Sequence, residues 1–191
     1  MHESNMKYWE HCKEKYPRYF ADPSKVIEFG SFNINGTVRV LFNCTEYIGL
    51  DWIEGPSVDL VSLAHEVNFN YKFDTIISSS MLEHDPYWEK SLDKMISLMK
   101  DDGILLLSWG GALSSEHCLN FAPDGKYHPL KAEKVFNFLK NEKLFIDEFR
   151  YENIFMGEPG WSAYLAFIAF KDEKYSKAPH IIDRLAPEDR E

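Results

Sequence analysis

Cysteine is scarce in this sequence: Cys12, Cys44 and Cys118 are three in 191 residues, widely spaced. An odd count without a Cys-x-x-Cys pair excludes a disulfide framework and the usual zinc or redox motifs, so all three are expected to be reduced. Long apolar runs are also missing. The longest nearly unbroken one, Ala163 to Phe170, has eight residues, against the roughly 20 that a membrane-spanning helix needs. Positive charge is in short supply, with 21 Lys and Arg against 31 Asp and Glu and a net charge of −10. That balance opposes nonspecific binding to phosphate backbones, which depends on Lys and Arg displacing counterions, and disfavours nucleic acid as a partner. The lysines of 131–143 alternate with acidic and apolar residues, as on a solvated helix face. The opening Met1-His2-Glu3-Ser4-Asn5-Met6-Lys7 lacks the basic-then-apolar order of a secretory signal. A cytoplasmic protein is therefore expected, with the glycosylation-like triplets at Asn35 and Asn43 never meeting that machinery.

What is present is the composition of a single globular core, 45% hydrophobic. Its length predicts one domain over residues 1–177, with a helical segment at 1–24 and a loosely held tail at 178–191. Lys25 to Phe29, Glu46 to Leu50, Val58 to Ser62, Phe73 to Ser78 and Ile104 to Ser108 read as short buried strands, the pattern of a parallel sheet covered on both faces. Leu92, Met95, Ile96 and Met99 recur at i, i+3, i+4 and i+7, which predicts an amphipathic helix capped by Asp85, entered through Pro86 and ended by Gly103. Ala132, Val135, Phe136 and Leu139 repeat that spacing. Leu144 to Tyr151 and Ser162 to Lys171, joined by Gly157-Glu158-Pro159-Gly160, predict an antiparallel pair at the C-terminal end. The segment around Tyr8 and Trp9 is expected to form a helix against the sheet.

The strand Val26-Ile27-Glu28-Phe29 breaks at Gly30-Ser31, and Tyr47-Ile48-Gly49-Leu50-Asp51 ends on a carboxylate 21 residues after that glycine. An α/β sheet holds a nucleoside this way: a residue without Cβ admits a ligand close to the backbone, and the distant acid accepts from a ribose diol.

Taken in order, Glu28-x-Gly30-Ser31 with Asn35-Gly36, Gly49-x-Asp51, Ala64-His65, Phe73-Asp74-x-Ile76-Ile77, Met81-Leu82-Glu83-His84 and Asp102-Gly103-Ile104-Leu105-Leu106-Leu107 resemble the class I S-adenosylmethionine-dependent methyltransferases. The resemblance runs from Lys25 to Gly111, with a weaker echo from Tyr127 to Phe138. It implies a Rossmann-like α/β fold, doubly wound, with a mostly parallel sheet and an antiparallel last pair. It also implies S-adenosylmethionine as cofactor and S-adenosylhomocysteine as product. The methionine part would lie on the loop of Gly30 and Ser31 above Glu28, aided by a short helix starting near Asn35. Asp51 would take the ribose hydroxyls and Trp52 would lie beside the adenine. Leu63, Ala64 and His65 would line the opposite adenine edge, and Ser78 and Ser79 would close the site near the sulfonium. Phe32 stands where the family's loop usually has a second glycine, and Leu63 where an aspartate often accepts from the adenine amine. The loop must then take another path, and the amine must be bound by backbone or by Glu66, or the cofactor is held weakly.

The implied activity is methyl transfer to an unidentified acceptor, expected to be a small molecule. His84 and His117 are the candidate general bases, because imidazole titrates near neutrality. Gly110 to Leu130 is too long for an ordinary connection and is expected to form part of the acceptor site, with Trp109 and Trp161 as candidate borders. Two other readings stand beside this one. A noncatalytic protein retaining the fold is the first, favoured by Phe32 and Leu63. A nicotinamide dehydrogenase is the second and weaker, since only Gly30 and Gly36 of G-x-G-x-x-G are present. His117, Cys118 and His128 offer zinc-type donors, but adjacent residues seldom reach one ion and no fourth ligand lies at motif spacing, so no metal is expected.

Overall fold

The computed structural model describes residues 3–111, 116–117, 119–153 and 163–176. They build one seven-stranded sheet in the order β3-β2-β1-β4-β5-β7-β6. Its strands are β1 (Lys25–Phe29), β2 (Glu46–Asp51), β3 (Leu60–Val61), β4 (Phe73–Ser79), β5 (Met99–Gly110), β6 (Phe145–Asn153) and β7 (Ala163–Phe170), and its helices are α1 (Glu3–Lys15), α2 (Trp88–Leu98) and α3 (Ala132–Asn141). Strands β1 to β5 pair in parallel. Strand β7 runs antiparallel to both β5 and β6. The predicted fold class is observed, and the linker 157–160, Trp161 and the tail 178–191 lie outside the described residues.

The central strands β1, β4 and β5 are buried on both faces over most of their length, which is why a run such as Ile104–Leu107 is continuously apolar rather than alternating. Ile104 and Leu106 point to one face, where Tyr8, Trp9 and Cys12 of α1 and Tyr16 just after it cover them. Leu105 and Leu107 point to the other, where Leu92, Met95 and Ile96 of α2 and Val135, Phe136 and Leu139 of α3 meet them. Helix α1 is fastened to β6 by Lys15 on Asp147 at 2.7 Å and by the Tyr16 hydroxyl on the same carboxylate.

Four expectations need correction. The α2 helix ends at Leu98, not at Gly103; Met99 is extended (ψ 135) and opens β5 opposite Phe73. The strand pairing outbids a last helical turn whose buried stripe Met99 would have continued. Pro86 precedes the helix, and Asp85 acts from outside it, its carboxylate accepting from the Tyr87 N–H at 2.8 Å and from the Ser91 hydroxyl. Strand Val58–Ser62 shrinks to Leu60–Val61, because the Asp59 carboxylate takes the Gly49 N–H at 2.7 Å and the Arg39 guanidinium at 2.9 Å. No helix begins near Asn35. The Asn33 side chain instead closes a turn on the Gly36 N–H at 2.7 Å, followed by a 3-10 turn at Val38–Leu41.

Candidate functional site

Strand order reverses between β1 and β4, so the chains leaving their carboxyl ends diverge and open a crevice. It holds a cavity of about 200 Å³, more than ten times the roughly 10–15 Å³ that one ordered water requires. Ten of the twelve residues assigned from sequence line it: Glu28, Gly30, Ser31, Asp51, Trp52, Leu63, Ala64, Ser79, His84 and His117. His65 and Ser78 do not. The His65 ring packs on Tyr87, 4.7 Å between centroids, and Ser78 is fully buried inside β4. Glu66 is exposed beside His65 and does not line the cavity either.

The first wall is the loop after β1. Gly30 has φ +82, and a Cβ there would lie 2.5 Å from the Met81 Cβ, so only glycine allows this turn against the segment after β4. The N–H groups of Gly30 and Ser31 both donate to the Leu50 carbonyl, at 2.9 and 3.0 Å. The Ser31 hydroxyl is buried without a hydrogen-bond partner, as a group awaiting a ligand would be. Phe32 gives the loop its altered path. Its N–H donates to Asp51 at 3.1 Å, while its ring lies over Gly55, where a Cβ would come within 2.0 Å of it. The glycine absent from the loop is thus matched by one on the connection after β2.

Two carboxylates define the electrostatics. Asp51 accepts from the N–H groups of Phe32 and Ile53, at 3.1 and 3.3 Å, which aim it while leaving acceptor capacity for a diol. Burial raises its pKa, with those backbone donors pulling the other way. Glu28, only 3% exposed, is pushed up to about 7 by burial, opposed by the Tyr47 hydroxyl that donates to it at 2.6 Å. With Asp85 the lining contains three carboxyl groups and, among the described residues, no Lys or Arg. Such a lining suits cations and hydroxyls and repels phosphates.

The opposite wall comes from the segments after β4 and β5. Ser80 turns the chain with φ +53, an uncommon conformation for a residue with a side chain, and Met81 leads into a 3-10 turn, Leu82–His84. His84 is pushed down to about 4 by burial and then by the nearby imidazoles of His117 and His128, so at neutral pH it is uncharged and weakly basic. Its ring meets His117 edge to face at 5.2 Å, and both rings pack on Tyr127 at 5.4 and 5.3 Å. Three described residues of the connection after β5, His117, Phe121 and Pro123, line the cavity, and the Trp52 indole donates to the Phe121 carbonyl at 2.7 Å. Sequence reasoning missed Ile34 as a lining residue and gave Met81, though part of the Met81-Leu82-Glu83-His84 motif, no role in the site; Phe121 and Pro123 lie in the Gly110–Leu130 segment expected near the acceptor. Trp109 is no border of the acceptor pocket; it is fully buried and donates to the Leu130 carbonyl at 2.9 Å. Cys118 lies outside the described residues, and His128 is bonded to Asp124 at 3.0 Å.

No family model matches the chain, and no curated protein sequence matches it. Solved structures do. A 1,6-didemethyltoxoflavin N1-methyltransferase of Burkholderia thailandensis, solved with 1,6-didemethyltoxoflavin and S-adenosylhomocysteine, superposes with TM-score 0.63 at 16% identity over 87% of this chain and 78% of that one. The N-methyltransferase NodS of Bradyrhizobium japonicum, solved with S-adenosylhomocysteine, gives 0.61 at 14% identity over 85% of each. The [4+2]-cyclase SpnF gives 0.62 at 12% identity over 87% of this chain and 81% of that one, so the shared architecture hosts more than one chemistry. Strand order, the antiparallel last pair and these superpositions agree: the chain has the fold of the class I S-adenosylmethionine-dependent methyltransferases.

Proposed function

We propose that this protein transfers a methyl group from S-adenosylmethionine to a small-molecule acceptor. The observation that carries the reading is the charge of the cavity: Glu28, Asp51 and Asp85 line it without any Lys or Arg among the described residues. A cofactor with an ammonium, a sulfonium and a ribose diol matches that lining, whereas the pyrophosphate of a nicotinamide dinucleotide would be repelled. Asp51 accepts from the diol, Glu28 and the Ser31 hydroxyl hold the amino-acid end, and Phe32 and Met81 exclude water. Bound there, the cofactor supplies an electrophilic methyl group, and the electron pair of the broken S–C bond stays on sulfur. The chain's share of the work is alignment of the acceptor atom with that methyl. His117, half-buried at the wall, is better placed than the weakly basic His84 to take an acceptor's proton.

A second reading, a noncatalytic binder of the same cofactor, is favoured by Leu63 lining the cavity where an acid would bind the adenine amine. Thermal denaturation separates the readings from a dehydrogenase. Saturation with S-adenosylhomocysteine at 100 times its Kd stabilises the chain by about 2.7 kcal/mol, and NAD gives no shift. A shift with NAD alone would sink the assignment. Binding followed by transfer of a labelled methyl group to any component of a metabolite extract decides between enzyme and binder.

A further inference from the structure

Two side chains of the cavity wall, His84 and His117, and the buried Glu83 behind them take no part in the proposed cofactor contacts. The 3-10 turn Leu82–His84 directs both Glu83 and His84 inward, leaving them 1% and 8% exposed. With His117 they bring one ligating atom each within 4.8 Å of one another. Adjacent side chains seldom reach one ion, which is why spacing alone passes over this set; here the tight turn removes that obstacle.

The neighbouring atoms are arranged as an outer shell would be. One oxygen of Glu83 accepts from the Gly110 N–H at 2.8 Å, which fixes the carboxylate. The Glu83 carbonyl takes the His128 N–H at 2.7 Å, which ties the far end of the β5–α3 connection to the same residue. Tyr127 packs against both imidazoles. The other Glu83 oxygen and Nδ1 of His84 are buried without a hydrogen-bond partner. Buried polar atoms left in that state bear their full desolvation cost, so each calls for an explanation.

We propose that Glu83, His84 and His117 form a mononuclear site for a divalent first-row transition ion at the wall of the cavity. Two imidazoles and one carboxylate suit zinc, iron(II) or cobalt(II) better than the all-oxygen preference of magnesium or calcium. Three protein ligands leave coordination positions open, and two of those ligands face the cavity. An ion held there would lower the pKa of an acceptor hydroxyl at an open position, so that its proton could leave to solvent without a free histidine. The new O–C bond forms as the S–C bond breaks. This last consequence rests on the methyl-transfer reading; the metal site does not.

The test uses the full chain, stripped with a chelator, reloaded with zinc and dialysed, with metal content measured by elemental analysis. About one zinc per chain is expected, not displaced by excess magnesium. Cobalt(II) in its place should give visible ligand-field absorption. Glu83→Gln keeps the Gly110 hydrogen bond, and His117→Ala alters a half-buried position. Each should weaken zinc binding by more than the roughly 10- to 100-fold cost of losing an outer partner. His128→Asn, outside the triad, should retain zinc. If Glu83→Gln fails to fold, His117→Ala decides. Zinc content in the wild type no higher than in Glu83→Gln/His117→Ala would overturn the site, as would equal loss in His128→Asn. A chain that holds zinc through the triad but ignores S-adenosylhomocysteine keeps the metal site and sinks the cofactor reading; the reverse result does the opposite.

Discussion

The backbone N–H of Phe32 donates to the carboxylate of Asp51 at 3.1 Å, tying the loop after β1 to the end of β2. One acid thus serves both the loop's shape and the proposed ribose contact. Asp51→Ala should weaken S-adenosylhomocysteine binding roughly ten- to hundredfold, the equivalent of about 1.5–3 kcal/mol for charge-assisted bonds. Asp51→Asn retains one oxygen acceptor and should lose less. Calorimetry with unchanged affinity in Asp51→Ala would remove this residue from the site.

The altered loop also predicts a specific coupling. Because a Cβ on Gly55 would lie 2.0 Å from the Phe32 ring, Gly55→Ala overpacks the connection and should cost about 1–3 kcal/mol of stability, with a loss of cofactor affinity. Phe32→Ala opens the space and gives up the ring contact with Phe121 at 5.2 Å. The double variant should recover part of the Gly55→Ala defect. Strict additivity in denaturant titrations would show that the two residues do not compensate each other.

How far the sequence led can be judged from such pairs. The strands and the buried stripes of α2 and α3 were legible because periodicity reports burial directly. Glu28, Gly30 and Asp51 were legible because chemistry and spacing mark them. The Phe32–Gly55 match was not, since it joins positions on different connections. Met99 was misread because its spacing fits one more helical turn as well as the start of β5, and only the pairing with Phe73 separates the two. The helix placed near Asn35 rested on likeness to other chains, while the local residues, Asn33 and Gly36, make a turn. Glu83 passed unnoticed as a ligand because its partner His117 is distant in sequence.

Stability and binding should respond oppositely to pH through Glu28. Its pKa is about 7 in the folded chain against 4.5 ordinarily. Between those values the folded state keeps a proton that the unfolded state releases, so this group's contribution to the unfolding free energy falls as pH rises. Glu83 is also pushed up to about 7 by burial and adds the same slope in the metal-free chain. Glu28→Gln should flatten the decline and be the more stable form above about pH 7. The cofactor's ammonium favours ionised Glu28, so affinity for S-adenosylhomocysteine should rise from about pH 6 to 8 in the wild type and stay level in the variant. Parallel pH profiles in the two proteins would refute this role.

The connection after β5 touches the cavity at two places that can be separated by substitution. Trp52 holds it through the Phe121 carbonyl at 2.7 Å, and Trp52→Phe keeps the ring while losing that bond. If the segment covers the cofactor, affinity for S-adenosylhomocysteine should fall by about 0.5–1.5 kcal/mol, the net value of one hydrogen bond. His117 stands on the same segment but faces His84 and Tyr127. His117→Ala should therefore leave that affinity nearly intact while lowering turnover by about 10² to 10⁴, measured with whichever acceptor the labelled-methyl screen identifies. Zinc added to the stripped wild type, but not to His117→Ala, should restore activity if the ion carries the deprotonation. Restoration by neither zinc nor any other divalent ion, with full activity in metal-free wild type, would return that step to the imidazole itself. Loss of cofactor binding in His117→Ala would instead make the whole segment a cover for the cofactor and leave the acceptor wall to Ser80, Met81 and His84.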